Sequence, residues 1–385
     1  MTTNRAYLIL PKLIEQPTWG GYYIMKAKGW EHHPDATRKF GQSYELYSGS
    51  YLSLAIDTRE KLFQPEIDSI PHNAFQIEQI RSEYADGLLG TRGMRKYAGE
   101  LKTLIKFTQA KGNSFQLHVK EPDGPWLPKP ESWYFIENGL ATVGIKNARK
   151  ISEYKKICSD IESYMQSLSQ KVLTGALSLD EARDLSKAYC TKKNVYRFVN
   201  TVPVPKRRVV DLHHGGIHHS WEEDTKIIPR GNIVYEVQVD VTDDVSTLRS
   251  FDKGKIQDDG TVRPLQIDDY FRHLDASKKR NDPDVLITEP HEVLHEETIT
   301  ISTIFDTDYY HVDELSFSGK IPEEYTNTQH ETFHHIFVLE GSLRYHDSSI
   351  DLQVGAGHSF IVPAAVGRYS IQTEHKRTIV LKTYL

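Results

Sequence analysis

The segment Ser114-Phe115-Gln116-Leu117-His118-Val119 alternates strictly. In an extended chain this turns the apolar residues to one side and Ser114, Gln116 and His118 to the other. Downstream, Lys129-Pro130-Glu131 sets a lysine and a carboxylate on one strand face by the same period of two. A second imidazole comes from the cluster His213, His214, His218 and His219. Gln116, His118, Glu131 and His219 together have the composition of a divalent-metal site, on which two strands and a loop would have to converge. Two imidazoles, an amide oxygen and a carboxylate leave a divalent ion with net positive charge and open positions. That suits catalytic zinc, and such mixed nitrogen and oxygen ligation also accepts manganese, iron or cobalt.

The elements that must position these residues read as β modules around a helical unit. From residue 1 to about 146 the chain is mostly short strands punctuated by Gly20-Gly21, Gly41, Asp86-Gly87 and Lys111-Gly112-Asn113. The pair Asn138-Gly139 predicts a hairpin joining Trp133–Ile136 to Leu140–Ile145, since a type I′ turn needs two positive φ values. Residues 101–110, LKTLIKFTQA, fit a strand or a short helix. At Asn147 the character changes. Ile151, Tyr154, Ile157, Cys158, Ile161, Met165 and Leu168 recur at steps of three and four, the mark of an amphipathic helix. Gly175 ends it, and Ser178-Leu179-Asp180-Glu181 has the form of a capping box opening a helix to about Lys187. Alternation returns in GNIVYEVQVDV, with Glu236 and Gln238 on its polar face. Residues 267–276 read as helical or irregular, and the last hundred residues as short strands separated by glycines and turns.

A chain of 385 residues can bury a large core and predicts two domains. Its net charge of -6, with no basic block, argues against nucleic acid or an anionic membrane as partner. The only cysteines, Cys158 and Cys190, lack CxxC spacing, which suits a reducing cytoplasm and neither a disulfide framework nor a thiolate metal site. The N-terminal residues lead only to a short apolar run, and no stretch approaches the ~20 apolar residues of a membrane span. Neither export nor membrane insertion is expected.

At the motifs Trp19-Gly20-Gly21, Gly41-Gln42-Ser43-Tyr44-Glu45, LIKFTQAKGNSFQLHVK and KPESWYFI the chain resembles the type I phosphomannose isomerases, zinc enzymes of the cupin superfamily. The family's Q-x-H, K-x-E, G-x-x-H turn, and arginine followed by an aromatic and Asp appear here in order over most of the chain. The resemblance implies a mainly β fold of two cupin-type jelly-roll domains with a helical insertion. The first jelly roll would comprise residues 1–146 and 195–265 around the insertion 147–194. A connecting segment, 266–285, would lead to a C-terminal jelly roll, 286–385, without a metal site. The stretch Pro363–Arg368, lacking histidine, agrees with that absence, and His334-His335 are expected to be structural.

Carried over residue by residue, the resemblance makes Gln116, His118, Glu131 and His219 the ligands of one Zn2+, with His219 favoured from the G-x-x-H match and His218 the alternative if the turn shifts by one residue. It gives Arg249, in LRSFDKGK, a catalytic or phosphate-side role, places Lys129 and Ser114 in the pocket and offers Lys255 to the phosphate. Glu236 becomes the leading candidate for the general base, with Lys129 or a metal-bound water as the alternative catalytic group, and Trp19 stands near the pocket mouth. The implied reaction interconverts mannose 6-phosphate and fructose 6-phosphate through a metal-stabilised enediolate, with a base moving a proton between C1 and C2. Gln42, where many bacterial members have Glu, and about three extra residues between Glu236 and Arg249 are departures from the pattern. They keep two alternatives in view: an isomerase of another sugar phosphate, and a non-catalytic sugar-phosphate-binding or regulatory cupin.

Overall fold

The computed structural model describes residues 2–60, 63–64, 68–212, 219–319, 321–373 and 377–385, with backbone alone for 321–325. His213, His214 and His218 lie outside these residues. The chain folds into two pairs of antiparallel sheets, the double jelly roll with a helical insertion that the family resemblance implies. In the first pair, a five-stranded sheet runs Val199–Val204, Gly139–Ile145, His219–Trp221, Phe115–Leu117, Leu248–Phe251. It packs on a seven-stranded sheet ordered Ile287–Thr288, Val209–Asp211, Glu131–Phe135, Asn232–Val239, Thr103–Ala110, Phe40–Leu46, Lys12–Glu15. Trp133, Phe135, Val143, Trp221 and Val234 fill one end of the space between them. The second pair joins a nine-stranded and a four-stranded sheet, and strands from both chain ends meet in the larger one, where Tyr7–Leu10 pairs with Ser359–Val362.

Period-two alternation gives every strand near the cavity two jobs. In the five-stranded sheet, Phe115 and Leu117 turn outward into a core shared with Tyr154, Cys158, Ile161, Met165 and Leu168 of the helix Ile151–Leu173. Ser114, Gln116 and His118 therefore turn inward. In the seven-stranded sheet, Ile105, Phe107, Tyr235 and Val237 turn away from the cavity and join the core of the second module. Phe107 and Tyr235 each stand 5.5 Å from the Phe337 ring, and the Tyr235 hydroxyl lies 2.9 Å from Thr383 Oγ1. A fully buried ion pair, Lys28 to Glu45 at 2.7 Å, sits at this seam, with Ser359 donating to the same carboxylate.

The second insertion helix, Leu179–Lys193, opens with the complete capping box of Ser178 and Glu181. Two expectations fail. Asn138-Gly139 does not close a two-stranded hairpin, because Glu131–Phe135 belongs to the seven-stranded sheet and Gly139–Ile145 to the five-stranded one. Neither residue has a positive φ. Glycine is required instead by crowding: a Cβ at 139 would lie 2.2 Å from the Phe135 ring and 2.7 Å from Asn232 Oδ1. Asn138 spends its side chain on the Lys206 N–H at 2.8 Å. Secondly, Asp86-Gly87 is no turn between strands but part of a helical segment, Ile77–Tyr97, bent at Tyr84 and at Gly90 with φ 74°. Those bends break the 3.6-residue period. The ambiguous stretch at 101–110 is a strand, Thr103–Ala110.

Candidate active site and metal centre

A cavity of about 800 Å³ opens between the two sheets of the first module. Its lining includes Ser114, Gln116, His118, Lys129, Glu131, Glu236, Arg249, Lys255 and Trp19, nine of the ten residues singled out from sequence. The tenth, His219, stands directly behind: its ring lies 5.3 Å from that of His118 and 5.2 Å from Trp133. Strand register brings them together. His219 is paired with Gln116 in the five-stranded sheet, and Glu131 with Gln238 in the seven-stranded one.

Among the described residues, His118, Glu131 and His219 form a buried group whose ligand atoms all lie within 4.8 Å of one another. The hydrogen bonds around them decide what this group can hold. His118 Nδ1 is 2.7 Å from the Ser246 carbonyl, which only accepts, so Nδ1 carries the proton and Nε2 presents its lone pair. That Nε2 faces Glu131 Oε2 at 3.0 Å. A neutral imidazole nitrogen and a carboxylate oxygen at this separation are two acceptors that only a proton or a cation reconciles. Trp133 Nε1 donates to the other oxygen of Glu131. The two contacts from outside fix the ligand orientations, as supporting partners do in metal sites. Burial opposes ionisation of Glu131; where a proton rather than a cation sits between the two, the His118 hydrogen bond and charge, with the His219 and Lys129 charges, hold its carboxyl well below the usual range. Gln116 gives its N–H to Ser114 Oγ at 3.1 Å, which leaves its amide oxygen as a fourth donor. The residues present fit a divalent cation.

In the seven-stranded sheet that also carries Glu131, Glu236 is buried and held by Lys106 Nζ at 3.3 Å, Thr108 Oγ1 at 3.0 Å and Gln238 Nε2. Burial, reinforced by the Glu131 charge and opposed by Lys106, pushes its pKa up to about 7. A carboxylate poised near neutrality can take and return a proton. Lys129, 4% exposed, donates to Asp243 at 2.6 Å, and Arg249 stands 3.6 Å from the same carboxylate. Lys255 reaches the Gly112 carbonyl at 3.4 Å. Sequence reasoning missed Lys106, Asp243 and Arg263, which share the cavity. Lys106 had a signal: once 103–110 is read as a strand, Lys106 and Thr108 fall on one face, opposite Glu236.

No protein-family model and no curated protein matches the sequence. Solved structures do. A mannose 6-phosphate isomerase from Bacillus subtilis superposes with a TM-score of 0.66 at 17% identity, covering 99% of each chain. A putative mannosephosphate isomerase from Archaeoglobus fulgidus gives 0.62 at 15% identity over 100% of this chain and 99% of that one. The chain has the fold of these isomerases. A zinc-bound mannose 6-phosphate isomerase gives 0.64 at 13% identity over 98% of this chain and 99% of that one, so the shared fold runs through both modules.

Proposed function

We propose that the protein is a metal-dependent aldose–ketose isomerase that interconverts mannose 6-phosphate and fructose 6-phosphate, with His118, Glu131, His219 and Gln116 holding one zinc ion. One observation carries this reading: a metal-ready triad, two of whose members line the cavity with the third directly behind, meets there a buried carboxylate poised near neutrality and a cluster of cationic side chains. A divalent ion held by these residues would supply Lewis-acid stabilisation of the negative charge that develops during the isomerisation. The chain's own groups do the rest. Glu236 shuttles the proton between C1 and C2. Lys106 keeps that carboxylate in place and offsets its charge when ionised. Arg249 and Lys255 take the phosphate, a remote grip that holds the open-chain sugar in reactive geometry. Lys129, tied to Asp243, and Ser114 line the sugar's path, and Trp19 stands at the mouth. The free thiols of Cys158 and Cys190 support a cytoplasmic setting, and among the described residues no helix is long and apolar enough to cross a membrane.

The test is a coupled spectrophotometric assay on mannose 6-phosphate. Turnover abolished by chelation and restored by zinc is expected. A fully metallated protein with no turnover on any member of a hexose-phosphate panel would leave a non-catalytic binder. Turnover confined to another sugar phosphate would reassign the substrate.

A further inference from the structure

The loop after the Leu248–Phe251 strand brings two cations, Lys255 and Arg263, into the cavity that Arg249 also lines. Arg249 faces Asp243 at 3.6 Å, and Arg263 Nε faces Asp252 at 3.8 Å. The carboxylates around the cluster are shared with or taken by other cations. Asp243 accepts from Lys129, Glu222 from Lys253 at 2.6 Å, and Asp258 from Arg183 at 2.6 Å. Burial lowers the pKa of both Arg249 and Lys255, and the Arg263 charge adds to that fall. The Arg249 Nε–H is buried with no acceptor among the described residues. The cluster thus gathers three cations beside carboxylates that other cations also use, and leaves one buried guanidinium N–H unmet among the described residues.

The fold nevertheless holds these cations together in advance. Three side chains of the helical insertion grip carbonyls of the loop: Ser186 Oγ on Gly254 at 2.6 Å, Arg183 Nη2 on Ile256 at 3.1 Å and Ser169 Oγ on Gly260 at 2.8 Å. Gly254 and Gly260 have positive φ, and a Cβ on either would run into the helices, 2.5 Å from Ser186 Oγ and 2.7 Å from Val172 Cγ1. A loop fixed this way costs little ordering entropy when a ligand arrives. Preassembled like charges are relieved by an anion, and a guanidinium suits a phosphate because it can donate two parallel hydrogen bonds.

We propose that Arg263 is a substrate ligand: with Arg249 and Lys255 it completes a three-cation subsite for a phosphate monoester, and it sets the preference for phosphorylated over neutral sugars. No motif in the sequence marks Arg263. The inference rests on the isomerase reading of the site, and its test separates the two. In metal-loaded Arg263→Gln, KM for mannose 6-phosphate is expected to rise roughly tenfold with kcat nearly unchanged, the signature of lost uniform binding. Competitive inhibition by inorganic phosphate, and the thermal stabilisation phosphate confers, should weaken in parallel, with Arg263→Lys in between. Unchanged KM and phosphate inhibition in Arg263→Gln would overturn the role of Arg263 and leave the isomerase reading standing. Wild-type protein that phosphate fails to stabilise would also overturn it. Stabilisation present in wild type and lost in Arg263→Gln, without turnover of any hexose phosphate by wild type, would support the subsite and defeat the isomerase reading.

Discussion

Replacing Glu236 by glutamine keeps the side chain's shape and removes its basicity. If Glu236 moves the substrate proton, kcat should fall by roughly 10² to 10⁴, the span of a well-placed general base. Metal content should not change, because Glu236 stands outside the His118, Glu131 and His219 group. The variant also strips Lys106 of its ionic partner. At their 3.3 Å separation the gross attraction is about 5 kcal/mol at an effective dielectric of ~20. Breaking a buried pair typically costs about 3–5 kcal/mol. The lower end is expected here, since Thr108 and Gln238 still offer partners to the new amide. The pH profile gives a separate readout. A general base works deprotonated, so wild-type kcat/KM should fall as pH drops through the Glu236 midpoint. That midpoint lies near 7 by burial and the Glu131 charge, and lower once a cation offsets Glu131. In Glu236→Gln this acid limb should vanish. Steady-state kinetics across neutral pH, with metal analysis and denaturant unfolding of the same preparations, test all four expectations. A variant within tenfold of wild-type kcat that keeps the limb would refute the assignment and move the base to Lys129 or to water.

His118→Ala should lose both bound metal and turnover while remaining folded, measured by elemental analysis beside circular dichroism; an active, metal-free variant would sink the site. Arg249→Ala should keep its metal and lose kcat/KM, so metal loss there would mean the arginine supports the ligands rather than the substrate. Gly139→Ala should destabilise by about 1–3 kcal/mol in denaturant unfolding through overpacking against Phe135 and Asn232, with no change in bound metal. Equal stability would show that the strand crossing relaxes more easily than its contacts suggest.

What could be read from sequence was whatever depends on local period. Alternation placed Gln116 and His118 on one face, the step of three and four marked the helix Ile151–Leu173, and Ser178-x-x-Glu181 announced the next one. The double jelly roll and the metal quartet needed the family motifs, because nothing local says that Glu131 and His219, distant in sequence, share a cavity. Asn138-Gly139 misled because its glycine answers a steric demand from Phe135 in three dimensions, not a backbone angle. Ile77–Tyr97 hid because its bends interrupt the period. Lys106 hid because LKTLIKFTQA suits either period, and without a period no residue has a face.

The strands behind the cavity tie chemistry to assembly. In Asn232–Val239, Glu236 looks into the cavity while Tyr235 and Val237 hold the second module. One residue inserted before Glu236 would swap these duties, burying a carboxylate in the seam and offering an aromatic ring to the sugar. Reactivity and cohesion would be lost in one stroke. Evolution, or a protein engineer, can therefore exchange the side chains at Lys255 and Arg263 and let ligand choice drift, but has almost no freedom in the lengths of the strands beneath them.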